Sequence, residues 1–145
     1  EDGGLSWQTH LFAVVCLFAD TIGTAGNLYA QVSEYDKFTH FLGVAAITSG
    51  LAVAFRVLPA RGFARPAART RVLIAIGLGI AVGIGWEMYE YLGDVVFHTT
   101  RVQGSTDTAF DLVFDTLGAT AAGLFGWQRS TSFKSMERDF AAPTG

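Results

Sequence analysis

The amino-acid sequence predicts an all-α integral membrane bundle of four transmembrane helices. Three observations carry that expectation. Half of the 145 residues are apolar and only 16% are charged, where soluble domains carry about a quarter charged residues. Mean hydropathy is positive, at +0.35. Four stretches reach the length that a bilayer-spanning helix requires, about 20 mostly apolar residues. The length suits one domain, no internal repeat is visible, and the glycine and proline content rules out a coiled coil.

The first span falls near 5–31, LSWQTHLFAVVCLFADTIGTAGNLYAQ, where Asp20 and Asn27 interrupt an otherwise apolar run. It lacks a basic leading region and a small-residue cleavage site, so it is not a signal peptide. Cys16, the single cysteine, excludes an internal disulfide and a Cys-based zinc site, and in VVCLFA it reads as packing. The chain opens Glu1-Asp2-Gly3-Gly4 without Met, which reads as a processed product or a fragment.

The second span, near 36–58, contains FLGVAAITSGLAVAF. A connection of distinct composition follows, LPARGFARPAARTR (58–71), in which Pro59 and Pro66 break any helix. The third span, near 71–97, holds the unbroken run VLIAIGLGIAVGIG and then turns acidic in WEMYEYLGD. The glycines of that run do not form a nucleotide-binding loop, because no strand precedes them. The fourth span, near 106–129, contains AFDLVFDTLGATAAGLFGW, and Thr106 or Asp107 can cap its start. Residues 1–129 therefore form the transmembrane domain, and 130–145 form a cytoplasmic C-terminal tail.

Arg56, Arg61, Arg65, Arg69, Arg71, Arg129, Lys134 and Arg138 lie on one side of this layout, eight of the ten Lys and Arg residues. The positive-inside rule makes that side cytoplasmic, with both termini inside. Nucleic-acid binding by the Arg-rich connection would need a basic domain with interleaved aromatics. Neither is present, so nucleic acid is not an expected partner. Phe12, Phe18, Phe38, Phe41 and Phe97 read as lipid-facing or interfacial.

The opposite ends of the helices carry the chemistry. Glu87, Glu90 and Asp94 are spaced three and four apart, Asp36 and His40 four apart, and Asp107, Asp111 and Asp115 at successive fours. Such spacings put each set on one helical face. Glu87 and Asp115 lie roughly 15 Å inside their helix ends at 1.5 Å rise per residue. Asp20 sits at a similar level, with Asn27 and Gln31 on nearly the same face. The other half of each span is apolar and rich in small residues, including Gly79-x-x-x-Gly83 and Ala122-x-x-x-Gly126, spacings that let helices approach closely.

Nine of the thirteen acids fall on this outer side, against Lys37 and Arg101. A carboxylate near mid-membrane costs about 2.5 to 3.5 kcal/mol on insertion scales, more than two basic residues can offset. Shared protons, water or a metal ion are the remaining answers. A histidine with carboxylates from several helices is a ligand set of bundle metal sites. Asp36, His40, Glu87, Glu90, Asp107, Asp111 and Asp115 are the candidate ligands of a divalent cation whose identity stays open. A proton or ion pathway and a hydrogen-bonded scaffold with protonated carboxyls are the competing readings. Capping is the plainer role for Asp107. His10 and His98 read as incidental, and no catalytic residue is assigned.

YDKFTHF (35–41), WEMYEYLGD (86–94) and GSTDTAFDLVFDTLGA (104–119) resemble the three signature segments of the YjdF-like family of small prokaryotic inner-membrane proteins. A looser similarity exists to VanZ-like membrane proteins. The resemblance covers residues 35 to 119 and implies a multi-helix membrane fold. It singles out Asp36, His40, Glu87, Glu90, Asp107 and Asp111. Family members have further spans before the Tyr-Asp segment, so this chain reads as a fragment or a reduced member.

Three functions remain open at this point. One is a metal-dependent membrane hydrolase, whose metal activates water or polarises a lipid-linked ester or phosphate. Another is an accessory subunit of a larger membrane protein complex, with the polar cluster as scaffold. The last is ion or proton transport. All three place the protein in a lipid bilayer.

Overall fold

A computed structural model describes the backbone over residues 7–57 and 66–141, and side chains over 10–55 and 66–128. Every element among the described residues is helical, in the order α1 (Trp7–Ala25), α2 (Leu28–Gln31), α3 (Tyr35–Val57), α4 (Ala68–Phe97) and α5 (Ser105–Ala141). Among the described residues three helices are long and apolar enough to cross a membrane: Tyr35–Phe55, Ala68–Phe97 and Ser105–Gln128. His10–Ala25 is a shorter apolar helix.

The continuous first span expected over 5–31 is broken. Asn27 adopts the left-handed conformation at φ 53° and ψ 36°, which Asn tolerates better than most residues. The Gly26 amide closes onto the Ile22 carbonyl at 2.8 Å. α2 is then a single turn, and extended Val32 (φ −125°) turns the chain into α3. Gln31 donates back to the Gly26 carbonyl at 3.2 Å. Asn27 and Gln31 therefore build the break, and do not extend a polar face of α1.

α5 also departs from its expected end near 129, because its backbone stays helical to Ala141, through most of the expected tail. The connection with Pro59, Arg61 and Arg65 lies outside the described residues, as do the side chains of Arg56, Arg129, Lys134 and Arg138. α4 begins just after Pro66 and ends where His98 turns left-handed (φ 56°).

α3, α4 and α5 pack on one another, while among the described residues α1 touches α3 and α2 only. The stripes that meet repeat every four residues. On α4 the buried residues are Ala75, Gly79, Gly83 and Glu87. On α5 they include Asp111, Asp115, Ala119 and Gly123, and on α3 His40, Val44 and Thr48. An i, i+4 row of small residues is a ridge along which two backbones can come close.

The glycines show how close. A methyl at Gly79 would overlap the Thr48 hydroxyl, one at Gly118 the Phe41 carbonyl, and one at Gly123 the Ile76 side chain. Gly79 and Gly83 thus act as their spacing predicts. On α5 the engaged residues are Gly118, Ala119 and Gly123, and Ala122 and Gly126 are only half-buried. Outside, the bundle is large and apolar: Leu73, Leu78, Val82, Met88, Phe97 and Val113 are exposed. A small-residue interior inside a large apolar exterior suits lipid, where packing replaces the hydrophobic effect between helices.

Candidate metal centre

α4 runs antiparallel to α3 and α5, so the start of α3, the last turns of α4 and the start of α5 share one end of the bundle. That places the three polar faces against one another. His40 is the hub. Its Nδ1 lies 3.1 Å from Asp115 Oδ1 on α5. Its Nε2 lies 3.7 Å from Asp36 Oδ1, one turn back on α3, and 3.5 Å from Glu87 Oε1 on α4. The first distance is a hydrogen bond; the other two are electrostatic contacts too long to be one.

The ring is therefore engaged differently at its two nitrogens. In the tautomer that carries its proton on Nδ1, Asp115 accepts from Nδ1–H and the Nε2 lone pair faces Asp36 and Glu87. A carboxylate holding one imidazole nitrogen so that the other can ligate is the usual outer support of a metal-binding histidine. Asp115 sits where it orients His40, at the opposite ring nitrogen from Asp36 and Glu87. Gly83 makes room for it: a methyl there would overlap the Asp115 carboxylate.

Two groups of possible ligand atoms share His40. Asp36, His40 and Asp111 form one, and His40, Glu87 and Glu90 the other; within each group the atoms lie within 4.8 Å of one another. Burial is deep: Asp115 is 0% exposed, Asp111 2%, Glu87 7% and His40 8%. Glu87 Oε1, Asp111 Oδ1 and Asp115 Oδ2 are buried without a hydrogen-bond partner. Buried carboxylate oxygens are costly unless paired or bound to a metal, so those of Glu87 and Asp111, both in the groups that share His40, fit a cation's donor set.

Two outer acids stand apart. Asp107 accepts from the Gln103 amide at 3.2 Å, reaching back into the loop from the first turn of α5. This is a capping contact, as its plainer reading holds, although the helix already begins at Ser105. Asp94, on the stripe with Glu87 and Glu90, accepts from the Thr99 hydroxyl at 2.5 Å and from the Arg101 and Val102 amides at 2.9 Å. It organises the α4–α5 loop. That loop returns Arg101 to the site, with its guanidinium 3.8 Å from Glu90.

The described side chains of α1 supply nothing to the cluster. Asp20 is exposed and accepts from the Tyr29 hydroxyl at 2.9 Å. Lys37 pairs with Glu34 at 3.2 Å, out at the rim. His98 caps α4, and Cys16 donates to the Leu42 carbonyl at 3.3 Å, a packing contact between α1 and α3. The contributions of Gly83 and Arg101 to the site are not legible as spacing. Gly83 shows only as half of a small-residue pair, and Arg101 only as one of two outer cations.

A protein of Thermotoga maritima described as uncharacterized is 29% identical over 106 residues, covering 72% of this chain and 54% of its own length. The chain thus spans about half the length of that relative. No solved structure matches it. The YjdF-like resemblance rests on the three motifs alone, and the VanZ-like similarity on the first and third of them. A family model described as "Predicted membrane protein (DUF2238)" matches residues 3–132. The chain belongs to this family of predicted membrane proteins.

Proposed function

We propose that the protein is a metal-dependent hydrolase of the prokaryotic inner membrane. In this reading α1 is the fourth span and both termini are cytoplasmic. His40, Asp36, Glu87, Glu90 and Asp111 hold a divalent cation in the outer half of the bundle. Asp115 orients His40, and Asp107 stands at the edge. The observation that supports it is the divided histidine: Nδ1 against Asp115, and Nε2 facing Asp36 and Glu87, of which Glu87 has a buried oxygen without a hydrogen-bond partner. A cation there would lower the pKa of a bound water or polarise an ester or phosphate oxygen. A substrate able to reach it is one held at the membrane surface, such as a lipid-linked ester or phosphate.

Elemental analysis of protein purified without chelator tests the metal. At least one metal per chain is expected, with His40→Ala and Glu87→Ala losing both metal and thermal stability. Metal content well below one per chain, with Glu87→Gln at least as stable as the wild type, refutes the reading. That pattern is what a protonated scaffold gives, because the amide removes a costly charge and keeps a hydrogen-bonding group.

The accessory-subunit reading is favoured by one separate observation. Among the described residues α1 packs on α3 and the short α2 and not on α4 or α5, and Leu11, Val14, Leu17 and Phe18 are exposed on it. A stoichiometric partner surviving gel filtration in mild detergent would support it.

A further inference from the structure

The geometry points to a centre for two divalent cations rather than one, built around His40 and bridged by carboxylates; the inference rests on the metal-binding reading above. Three observations lead there, the first being that the ligands form two groups. Asp36 and Asp111 form one group with His40, and Glu87 and Glu90 form another with it, the ligand atoms of each set lying within 4.8 Å of one another. Bonds of about 2.1 Å place the ligand atoms of one ion at most roughly 4.2 Å apart. Each group closes to that size with small side-chain movements, and a single ion would satisfy only one of them.

Each group also carries its own orphan. Asp111 Oδ1 belongs to the first and Glu87 Oε1 to the second, and both are buried without a partner on residues less than a tenth exposed. One ion drawn to either side leaves the other orphan in place.

Charge is the third observation. Asp36, Glu87, Glu90, Asp111 and Asp115 bring five negative charges to the cluster, and Arg101, at 3.8 Å from Glu90, answers one of them. Lys37 is engaged with Glu34 at the rim. Four charges remain at a depth where an unneutralised carboxylate is costly, and two divalent cations balance them with His40 neutral. The single imidazole has one lone pair to give once Asp115 holds Nδ1–H. Nε2 therefore ligates one ion, and the second is bound by oxygen alone. Asp36 and Glu87, one from each group and both facing Nε2, are the natural bridges. Paired ions about 3.5–4 Å apart would clamp both the attacking and the leaving oxygen of an ester or phosphate.

The test is stoichiometry. Protein stripped of metal in mild detergent is loaded separately with Mn(II) and Zn(II), desalted, and analysed for metal per chain. Two per chain is expected, and the Mn(II) form should show the spin-coupled paramagnetic resonance spectrum of a close pair. Asp111→Asn and Glu90→Gln should each reduce the count from two to one, with the bundle's helicity retained. Glu34→Gln at the rim should leave it at two, which separates the centre from surface acids binding loose ions. One metal per chain with an uncoupled Mn(II) spectrum overturns the paired centre and leaves the metal-binding reading standing. No metal of either kind overturns both. If the variants do not fold, the wild-type count and the coupling decide alone.

Discussion

Gly83→Ala is the smallest change that should reach the centre through packing. A Cβ at this position would stand 2.6 Å from Asp115 Cγ and 2.9 Å from its Cβ, so Asp115 must move. Overpacking of this kind costs about 1–3 kcal/mol. Displacing Asp115 also weakens its bond to His40, and hydrogen bonds to charged groups contribute about 1.5–3 kcal/mol. The helix gains at most about 1 kcal/mol from replacing Gly by Ala. The net loss is about 2–5 kcal/mol, or a fall of order 10 °C in midpoint at about 2–4 °C per kcal/mol for a chain of this size. Gly85→Ala, two residues away on the same helix, is the control, because a Cβ there meets nothing within 4 Å. Thermal unfolding of both variants in one detergent gives the comparison. If Gly83→Ala is as stable as Gly85→Ala, then Asp115 is not held against α4 as described.

Further outcomes are expected. Gly79→Ala should destabilise by about 1–3 kcal/mol as overpacking does. Adding Thr48→Ala should recover part of that, since the overlap is with the Thr48 hydroxyl; additive losses in unfolding experiments would argue against direct contact. Asp115→Asn should weaken metal binding by roughly 10- to 100-fold, as loss of a histidine's supporting partner does, measured by competition with a chelating dye. Unchanged affinity would make Asp115 a bystander. Asp94→Ala should speed hydrogen exchange at the Arg101 and Val102 amides, which it accepts from, and unaltered protection there would contradict its role in the loop. Gln103→Cys in a Cys16→Ser background should react with an impermeant thiol reagent added to intact cells. Reaction only after permeabilisation would reverse the proposed orientation.

Much of this arrangement is legible in the sequence because spacing and topology are enough to place helical faces. Asp36 with His40, Glu87 with Glu90, and Asp111 with Asp115 share faces at three or four residues. Alternating spans bring those faces to one end, and there they meet. What spacing cannot specify is side-chain direction and the local price of a bend. Asp111 and Asp115 look equivalent in sequence, yet one lies among the possible ligands and the other on the opposite ring nitrogen of His40. Asp94 continues the stripe of Glu90 but meets the amides of its own loop first, because they are nearer than any partner helix. The first span reads as continuous because its composition stays apolar, whereas Asn27 bends on a single residue's backbone preference. Gly123 and Gly126 are both candidates for close packing, and only the relative rotation of α4 and α5 decides between them.

Among the described residues α1 meets the three long helices through α3, with polar contacts from Cys16 to the Leu42 carbonyl and from the Tyr35 hydroxyl to the Ala19 carbonyl at 2.5 Å. Both accepting groups are backbone carbonyls, which any residue can present, so the join asks little of the sequence at positions 19 and 42. A helix attached in this manner can drift, be exchanged, or gain neighbours without passing strain to His40. The three helices that carry the polar faces have no such freedom, since each contributes to the others' fit. Natural variation should then concentrate on the α1 side while the remaining three-helix unit stays as it is.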